Sequence, residues 1–248
     1  MDESTRDQPA RADLSHSQYS LRVIKLGGSL LAMPNMAEQL ALWWHYLAQR
    51  RQSGEVDRWL IVVGGGAIVD TVREWEQHHG LTSQVSHHLA LAGMKVTAQM
   101  VSRLMNWPLV ILPPVGNPGA AAGIATKSEP QISHDLTPWI DDVSQLSSEH
   151  PLVVDLSHAA AADPTLPESW DVTSDSLALW LAQLVGASSL VLLKAVSPLE
   201  TPVKLGKICG LGWVDAYFSR MWSEGPSVEV QIAHFSHCPH ISQVQRAD

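Results

Sequence analysis

Two lysines and one aspartate sit where a folding chain would not ordinarily put them. Lys25 lies inside the apolar run VIKL, just before the Gly27-Gly28 pair. In a parallel strand buried on both faces, such a lysine is costly unless its ammonium finds a partner. An ammonium emerging at the strand's carboxyl end, beside a glycine turn, is suited to neutralising charge on a phosphoryl group in transfer. An ordinary buried ion pair is the competing reading. Lys194 repeats the pattern in LVLLKAV. It is a second candidate for phosphate contact, or an ammonium snorkelling from the sheet edge. Asp175 lies in WDVTSDSLALW, with Thr173 or Ser174 as the cap of the helix that follows. A carboxylate in a first helical turn is favoured by the helix dipole whatever the function. It can also orient a lysine ammonium.

The glycines supply the second part of this chemistry. Gly27-Gly28 follows one apolar run and Gly64-Gly65-Gly66 follows another. Glycine at a strand's carboxyl end lets backbone N–H groups face a ligand, and N–H groups at a helix start bind anions. Two such turns can cradle one phosphoryl group from opposite sides. Either cluster alone also serves as a plain tight turn. Neither is GxxxxGK[ST] or GxGxxG, which excludes a P-loop or a dinucleotide-binding fingerprint.

The elements that must carry these residues alternate. RVIKL (22–26), RWLIVV (58–63), LVILPP (109–114), PLVVDLSH (151–158) and SSLVLLKAV (188–196) read as buried strands. Helical spacing follows Asn35, whose Glu38 three residues on makes a capping pattern. It recurs over 67–79, closed by Gly80, over roughly 83–105, and over 172–185, closed by Gly186. Residues 115–150 read as loop and short helix. Apolar, non-alternating strands separated by helices predict an α/β fold: a three-layer α/β/α sandwich around an open, mainly parallel sheet. Ligands of such sheets bind beyond the carboxyl ends of the strands, where the glycine clusters fall.

Bulk properties narrow the partners. A formal net charge of −9 argues against nucleic acid and anionic membranes. With 45% apolar residues the chain can build a core, yet no apolar run approaches the roughly 18 residues of a membrane span. Residues 1–20 read as a disordered polar tail without an apolar signal core. Two distant cysteines, Cys209 and Cys238, fit a reducing compartment, with cytoplasm as the default.

Taken together, VIKLGGS (23–29), VVGGG (62–66) and VTSDSLA (172–178) resemble the amino acid kinase superfamily in order and spacing. The resemblance spans most of residues 22–196. It implies an acceptor lobe over 21–155 and a nucleotide lobe over 156–248 on one continuous sheet, with ATP as donor. Mg²⁺ would be held mainly by the nucleotide's phosphates rather than by a protein cage. By position, Lys25 would stabilise the transferring group and Asp175 would organise the charges. Gly27, Gly28, Gly64, Gly65 and Gly66 would bind phosphate, with Thr173, Ser174 and Lys194 on the nucleotide side. The chain departs from the family where a TDVDG-like segment is usual and LKAVSP (193–198) stands instead. A catalytically silent nucleotide- or oxyanion-binding relative is the alternative function.

For the acceptor, Asp70 stands where isopentenyl phosphate kinases carry a histidine after GGG. A carboxylate there repels a phosphate and attracts an ammonium. The pattern GGG-x-x-x-Asp with Val72-Arg73, His88, Met94, WDVTSDS and GWVDAYF is most similar to the archaeal-type branch that includes [5-(aminomethyl)furan-3-yl]methyl phosphate kinase. That resemblance assigns Asp70, Arg73 and His88 to the substrate. Asp70 as a surface residue paired with Arg73 is the plain alternative. His87 and His88 diverge by about 100° on a helix, so at most one faces a site. The superfamily's habit of assembling through amino-terminal-lobe helices makes Trp43-Trp44 a candidate homodimer contact. The segment AHFSHCPH (233–240) groups three histidines and a cysteine in no zinc-finger spacing, and reads as a polar tail or an oligomer contact rather than a metal site.

Overall fold

The computed structural model describes residues 19–49, 56–114, 136–146, 149–195 and 202–246. In chain order the elements are β1 (Tyr19–Leu26), a 3-10 turn (Gly28–Ala32), α1 (Met36–Gln49), β2 (Val56–Val63), α2 (Gly66–His79), α3 (Ser83–Met105) and β3 (Leu109–Ile111). The chain continues through α4 (Thr137–Gln145), β4 (Leu152–Asp155), α5 (Ser157–Ala162), α6 (Ser174–Leu184) and β5 (Ser189–Lys194). It ends with β6 (Val203–Lys204), α7 (Leu205–Gly210), α8 (Ala216–Glu224), β7 (Glu229–His234) and β8 (Ile241–Gln245).

The eight strands form one sheet in the order β3-β4-β2-β1-β5-β7-β8-β6. From β3 through β7 every pairing is parallel, and β8 returns antiparallel to β7. The strands expected from apolar runs are all present. β1 starts earlier than the reading of 22–26, so the supposed tail gives way to sheet at Tyr19. The rest of that tail, most of the loop at 115–150 and residues 196–198 of LKAVSP lie outside the described residues. The strands and helices beyond residue 200 carry short or mixed patterns that the sequence reading did not resolve.

Two apolar clusters pack on opposite faces of the sheet. One gathers Val23, Leu60 and Leu192 with α4, α5, α6 and α8. The other gathers Ile24, Ile61 and Val191 with α1 and the carboxyl-terminal half of α3. Alternate residues of one strand feed alternate clusters, as the two-residue period of a strand requires. This is a sheet covered on both sides.

The Trp43-Trp44 pair belongs to this packing. Trp43 is fully buried, and its indole N–H donates to the Phe235 carbonyl at 2.6 Å. Trp44 meets Trp59 and Trp107 edge-on and donates to the Glu149 carbonyl at 3.2 Å. The expected surface contact is corrected for Trp43, which is spent inside its own chain, whereas Trp44 is only half-buried.

β1 is the pivot. Its neighbour β2 leads to β4 and β3, whereas β5 on its other side leads to β7 and β8. The strand order reverses across β1, and a crevice opens beyond the carboxyl ends at such a point. The chain leaves β1, β2 and β5 there, at Leu26, Val63 and Lys194.

Candidate active site

Asp175 stands at the centre of the crevice. Thr173 caps α6, its hydroxyl oxygen accepting the Asp175 N–H at 3.3 Å, which puts the carboxylate in the first turn. Oδ1 lies 2.8 Å from Lys25 Nζ and Oδ2 lies 2.6 Å from Lys194 Nζ. Lys25 and Asp175 are buried, and Lys194 nearly so. Lys194 also donates to the Trp213 carbonyl. Lys25, Lys194 and Asp175, singled out separately in the sequence, are thus in direct contact.

The electrostatics follow from burial. Burial alone pushes the Asp175 carboxyl up, but the Lys25 and Lys194 charges outweigh it and hold the group below the usual carboxylate range. Burial lowers Lys194, and the Asp175 charge restores only part of the loss. Three formal charges with a net charge of +1 are thereby fixed at the sheet's carboxyl edge. An anion brought here meets an excess positive charge that needs little rearrangement.

Asp215 braces this arrangement from a second helix. Its carboxylate caps α8 by accepting the Phe218 N–H at 2.7 Å. It also accepts the hydroxyls of Thr173, at 2.6 Å, and Ser176. The amino-terminal ends of α6 and α8 are therefore tied together. Sequence reading noted GWVDAYF but gave Asp215 no role; an aspartate directly before a helical run was the available signal. The commitment of the Thr173 hydroxyl to Asp215 removes it as a donor to a ligand, which leaves Ser174 on the cavity wall.

The two glycine turns touch. A Cβ built on Gly28 would lie 2.9 Å from Gly66 Cα and 3.1 Å from the Gly64 carbonyl carbon. A Cβ on Gly64 would lie 2.6 Å from Gly28 N and 3.0 Å from Ser174 Oγ. Gly66 also has φ +54°, the left-handed region that favours glycine. Ser174 thus joins the glycine turns to the Lys25–Asp175 pair next along the helix.

Not all five glycines are available as donors. The Gly27 N–H bonds the Leu193 carbonyl at 3.0 Å and the Gly64 N–H bonds the Leu26 carbonyl at 2.9 Å. Both extend strand pairing past the strand ends, so the expected phosphate contacts from these two N–H groups are corrected. Gly28 heads the 3-10 turn and Gly66 heads α2 after its cap Gly65. The first N–H groups of a helix have no partner within it and face outward.

Gly28→Ala tests the contact. The clash falls on backbone, which no rotamer relieves, so we expect a loss of about 1–3 kcal/mol and a lower melting midpoint. Gly206→Ala, where a Cβ meets nothing within 4 Å, should melt close to wild type. Equal midpoints would refute the close packing of the turns.

Beside the turns lies a cavity of about 210 Å³ between α2, α3 and α6. Val69, Leu91, Met94, Val172 and Leu177 make its apolar wall, and Gly28, Gly65, Gly66 and Ser174 make its polar floor. Asp70, Arg73 and Trp170 stand at its mouth. Asp70 and Arg73 pair at 2.8 Å, as the plain alternative expected, and both are exposed. The Arg73 guanidinium lies over the Trp170 ring at 4.6 Å, and the Trp170 indole donates to Glu76. Of the adjacent histidines, the wall takes His87. His88 turns out to Glu168 at 2.9 Å, which corrects the assignment of His88 to the substrate. Burial lowers the His87 imidazole, partly offset by its hydrogen bond to the Ser169 backbone.

Among the described residues no group of three or more His, Cys, Asp or Glu could hold a metal ion. Both Asp175 oxygens already face ammonium groups. A metal carried by a nucleotide's phosphates suits this site better than one held by side chains. No described helix is long and apolar enough to cross a membrane.

Comparison with known proteins adds independent findings. The profile described as "Amino acid kinase family" matches residues 20–201. Among solved structures, the fold is similar to a UMP kinase from Ureaplasma parvum, with TM-score 0.61, 12% identity, and coverage of 92% of this chain and 99% of that one. An aspartate kinase from Synechocystis gives TM-score 0.60 and 14% identity over 92% of this chain but only 40% of that longer one. A UMP kinase from Bacillus anthracis gives TM-score 0.57 and 13% identity, covering 91% and 96%. No curated protein matches.

Proposed function

Because the chain belongs to the amino acid kinase family, we propose that it is an ATP-dependent phosphotransferase with a small acceptor in the α2–α3–α6 cavity and the nucleotide on the β5 side. The observation that carries the reading is the Lys25–Asp175–Lys194 cluster beside two touching glycine turns. Lys25 and Lys194 supply charge to the phosphoryl group in flight. Gly28, Gly65 and Gly66 supply backbone donors. Asp175 holds both ammonium groups in place and takes no part in proton transfer. Catalysis here is positioning plus charge stabilisation, with no covalent intermediate. Mg²⁺, when bound, supplies charge neutralisation between the donor phosphates. The acceptor lobe is assigned to 21–155 and the nucleotide lobe to 156–248.

The acceptor is a small molecule carrying an ammonium and a phosphate, of the aminomethylfuran phosphate class, and the product is a diphosphate. Asp70 and Arg73 offer opposite charges at the cavity mouth, and Trp170 offers a flat apolar face. The apolar wall suits a short unsaturated or ring-bearing body. The test is ATP turnover with a panel of small amino phosphates, set against the same phosphates without the amine. We expect turnover with the amine-bearing members only. Asp70→Asn should raise the acceptor KM about tenfold, the size of one charge-assisted hydrogen bond, with kcat kept. An unchanged KM removes Asp70 from the acceptor site.

A further inference from the structure

The wall of the α2–α3–α6 cavity holds one buried polar side chain that the contacts proposed above leave unused. His87 shares a face of α3 with Ala90, Leu91 and Met94, the i, i+3, i+4 and i+7 positions, and all four line the cavity. Met94 marks the inner end of this row, since a Cβ on Gly65 would lie 3.5 Å from its Cγ. Seven residues of helix, about 10 Å, separate Met94 from His87. An acceptor with its reacting end on the glycine floor therefore has its far end beside His87, where Asp70, Arg73 and Trp170 also stand.

The backbone sets the tautomer of the ring. One ring nitrogen is hydrogen-bonded to the Ser169 backbone, and this bond favours the protonated imidazole. A carbonyl acceptor has that effect and an N–H donor the opposite one, so this nitrogen donates to the Ser169 carbonyl. That carbonyl is itself anchored, accepting the Val172 N–H at 3.2 Å. The neighbouring His88 is occupied with Glu168. Among the described residues no side chain is hydrogen-bonded to the His87 ring. Its second nitrogen is not one of the polar atoms sealed in the interior without a partner. That nitrogen opens on the cavity.

Burial holds the imidazole below its ordinary range, against the pull of the Ser169 bond. At neutral pH the open nitrogen is then a lone pair, which accepts a hydrogen bond and cannot give one. The two ends of the cavity thus ask for opposite chemistry. N–H groups at the glycine floor suit an oxyanion, and the lone pair at the outer wall suits an N–H or O–H. A substrate phosphate at the outer end would set oxygen lone pairs against a nitrogen lone pair.

We propose that His87 reads the far end of the acceptor: its open ring nitrogen takes a hydrogen bond from an ammonium or hydroxyl about 10 Å from the glycine floor, and so selects acceptors by length and by the donor they carry. This rests on the phosphotransferase reading and adds to it a span and a contact that the acceptor must satisfy. Asp70 supplies charge near the same end, but it is exposed and shared with Arg73. His87, buried and held by Ser169, supplies direction. A bound ammonium keeps its proton, because an alkylamine is far more basic than an imidazole.

The experiment is steady-state kinetics at saturating ATP with ω-aminoalkyl phosphates of graded chain length, each set against the alkyl phosphate of equal length without the amine. In wild type the advantage of the amine should peak at the chain length that spans the floor and His87. His87→Phe keeps a ring and removes the acceptor. Its amine advantage at the peak should fall about ten- to hundredfold, the worth of one hydrogen bond to a charged group, with the loss in KM and the plain alkyl phosphates used as before. His88→Gln releases Glu168 of the same loop and should keep the advantage, whereas a merely disturbed loop would lower both members of each pair alike. His87→Leu replaces His87→Phe should the latter melt below the assay temperature. An amine advantage that survives loss of the imidazole, or that is the same at every chain length in wild type, overturns the role of His87 and leaves the phosphotransferase reading standing. No transfer by wild type to any aminoalkyl phosphate overturns the amine-bearing acceptor and the role of His87 with it.

Discussion

Asp175→Ala is expected to lower global stability by about 3–5 kcal/mol, the scale for removing one partner of a buried charge cluster. Without the carboxylate, the Lys25 and Lys194 ammonium groups face one another in a site that water scarcely enters. The two attractions, at 2.8 Å and 2.6 Å, become one repulsion. Urea denaturation measures the loss. Adding Lys194→Met to Asp175→Ala should recover part of it, because one uncompensated charge is cheaper than two.

Acidity probes the same cluster. The folded Asp175 carboxyl lies below its ordinary value. Its contribution is therefore present above the unfolded pKa, about 3.9, and is lost as pH falls through the folded pKa. Wild type should lose stability there more steeply than Asp175→Ala. Parallel acid curves for the two proteins would mean that the carboxylate does not hold the lysines in solution.

Lys25→Met is expected to cut phosphoryl transfer about 10²–10³-fold, the usual loss when one preorganised donor to a developing charge is removed. Stability should change far less than in Asp175→Ala. The substitution leaves Asp175 paired with Lys194, a neutral remainder, and methionine fills the lysine stem's place in β1. ATP affinity should stay near wild type, since Lys194 and the turn N–H groups remain. Single-turnover kinetics with saturating ATP separates the chemical step from binding. Transfer within a few-fold of wild type would remove Lys25 from the reaction.

How much of this was legible in the sequence depended on the element. Apolar runs longer than a turn requires marked β2 and β5, since strands buried on both faces carry no polar alternation to confuse the signal. The lysines stood out for the same reason, as single charges in otherwise apolar strands. Which glycine N–H groups are free was not legible. Gly27 and Gly64 look identical to Gly28 and Gly66 in sequence, yet the former pair is used up in strand pairing with Leu193 and Leu26. Helical rotation separates His87 from His88 but does not say which side of α3 faces the cavity; that depends on how α3 packs against α2. The Trp43 indole looked like a surface anchor because its acceptor, the Phe235 carbonyl, lies far along the chain. Asp215 was obscured in the same way, since two of its partners, Thr173 and Ser176, sit at the start of another helix.

The place of β1 between β2 and β5 has a consequence for how the molecule assembles. β1 pairs with β5 only after nearly the whole intervening chain has been made, and such distant parallel pairings form slowly. Until they form, Lys25 and Lys194 belong to separate pieces of chain and Asp175 has neither. A refolding population should therefore regain helix content before it regains the ability to handle phosphate, and the nascent chain on the ribosome stays inert until β5 has emerged.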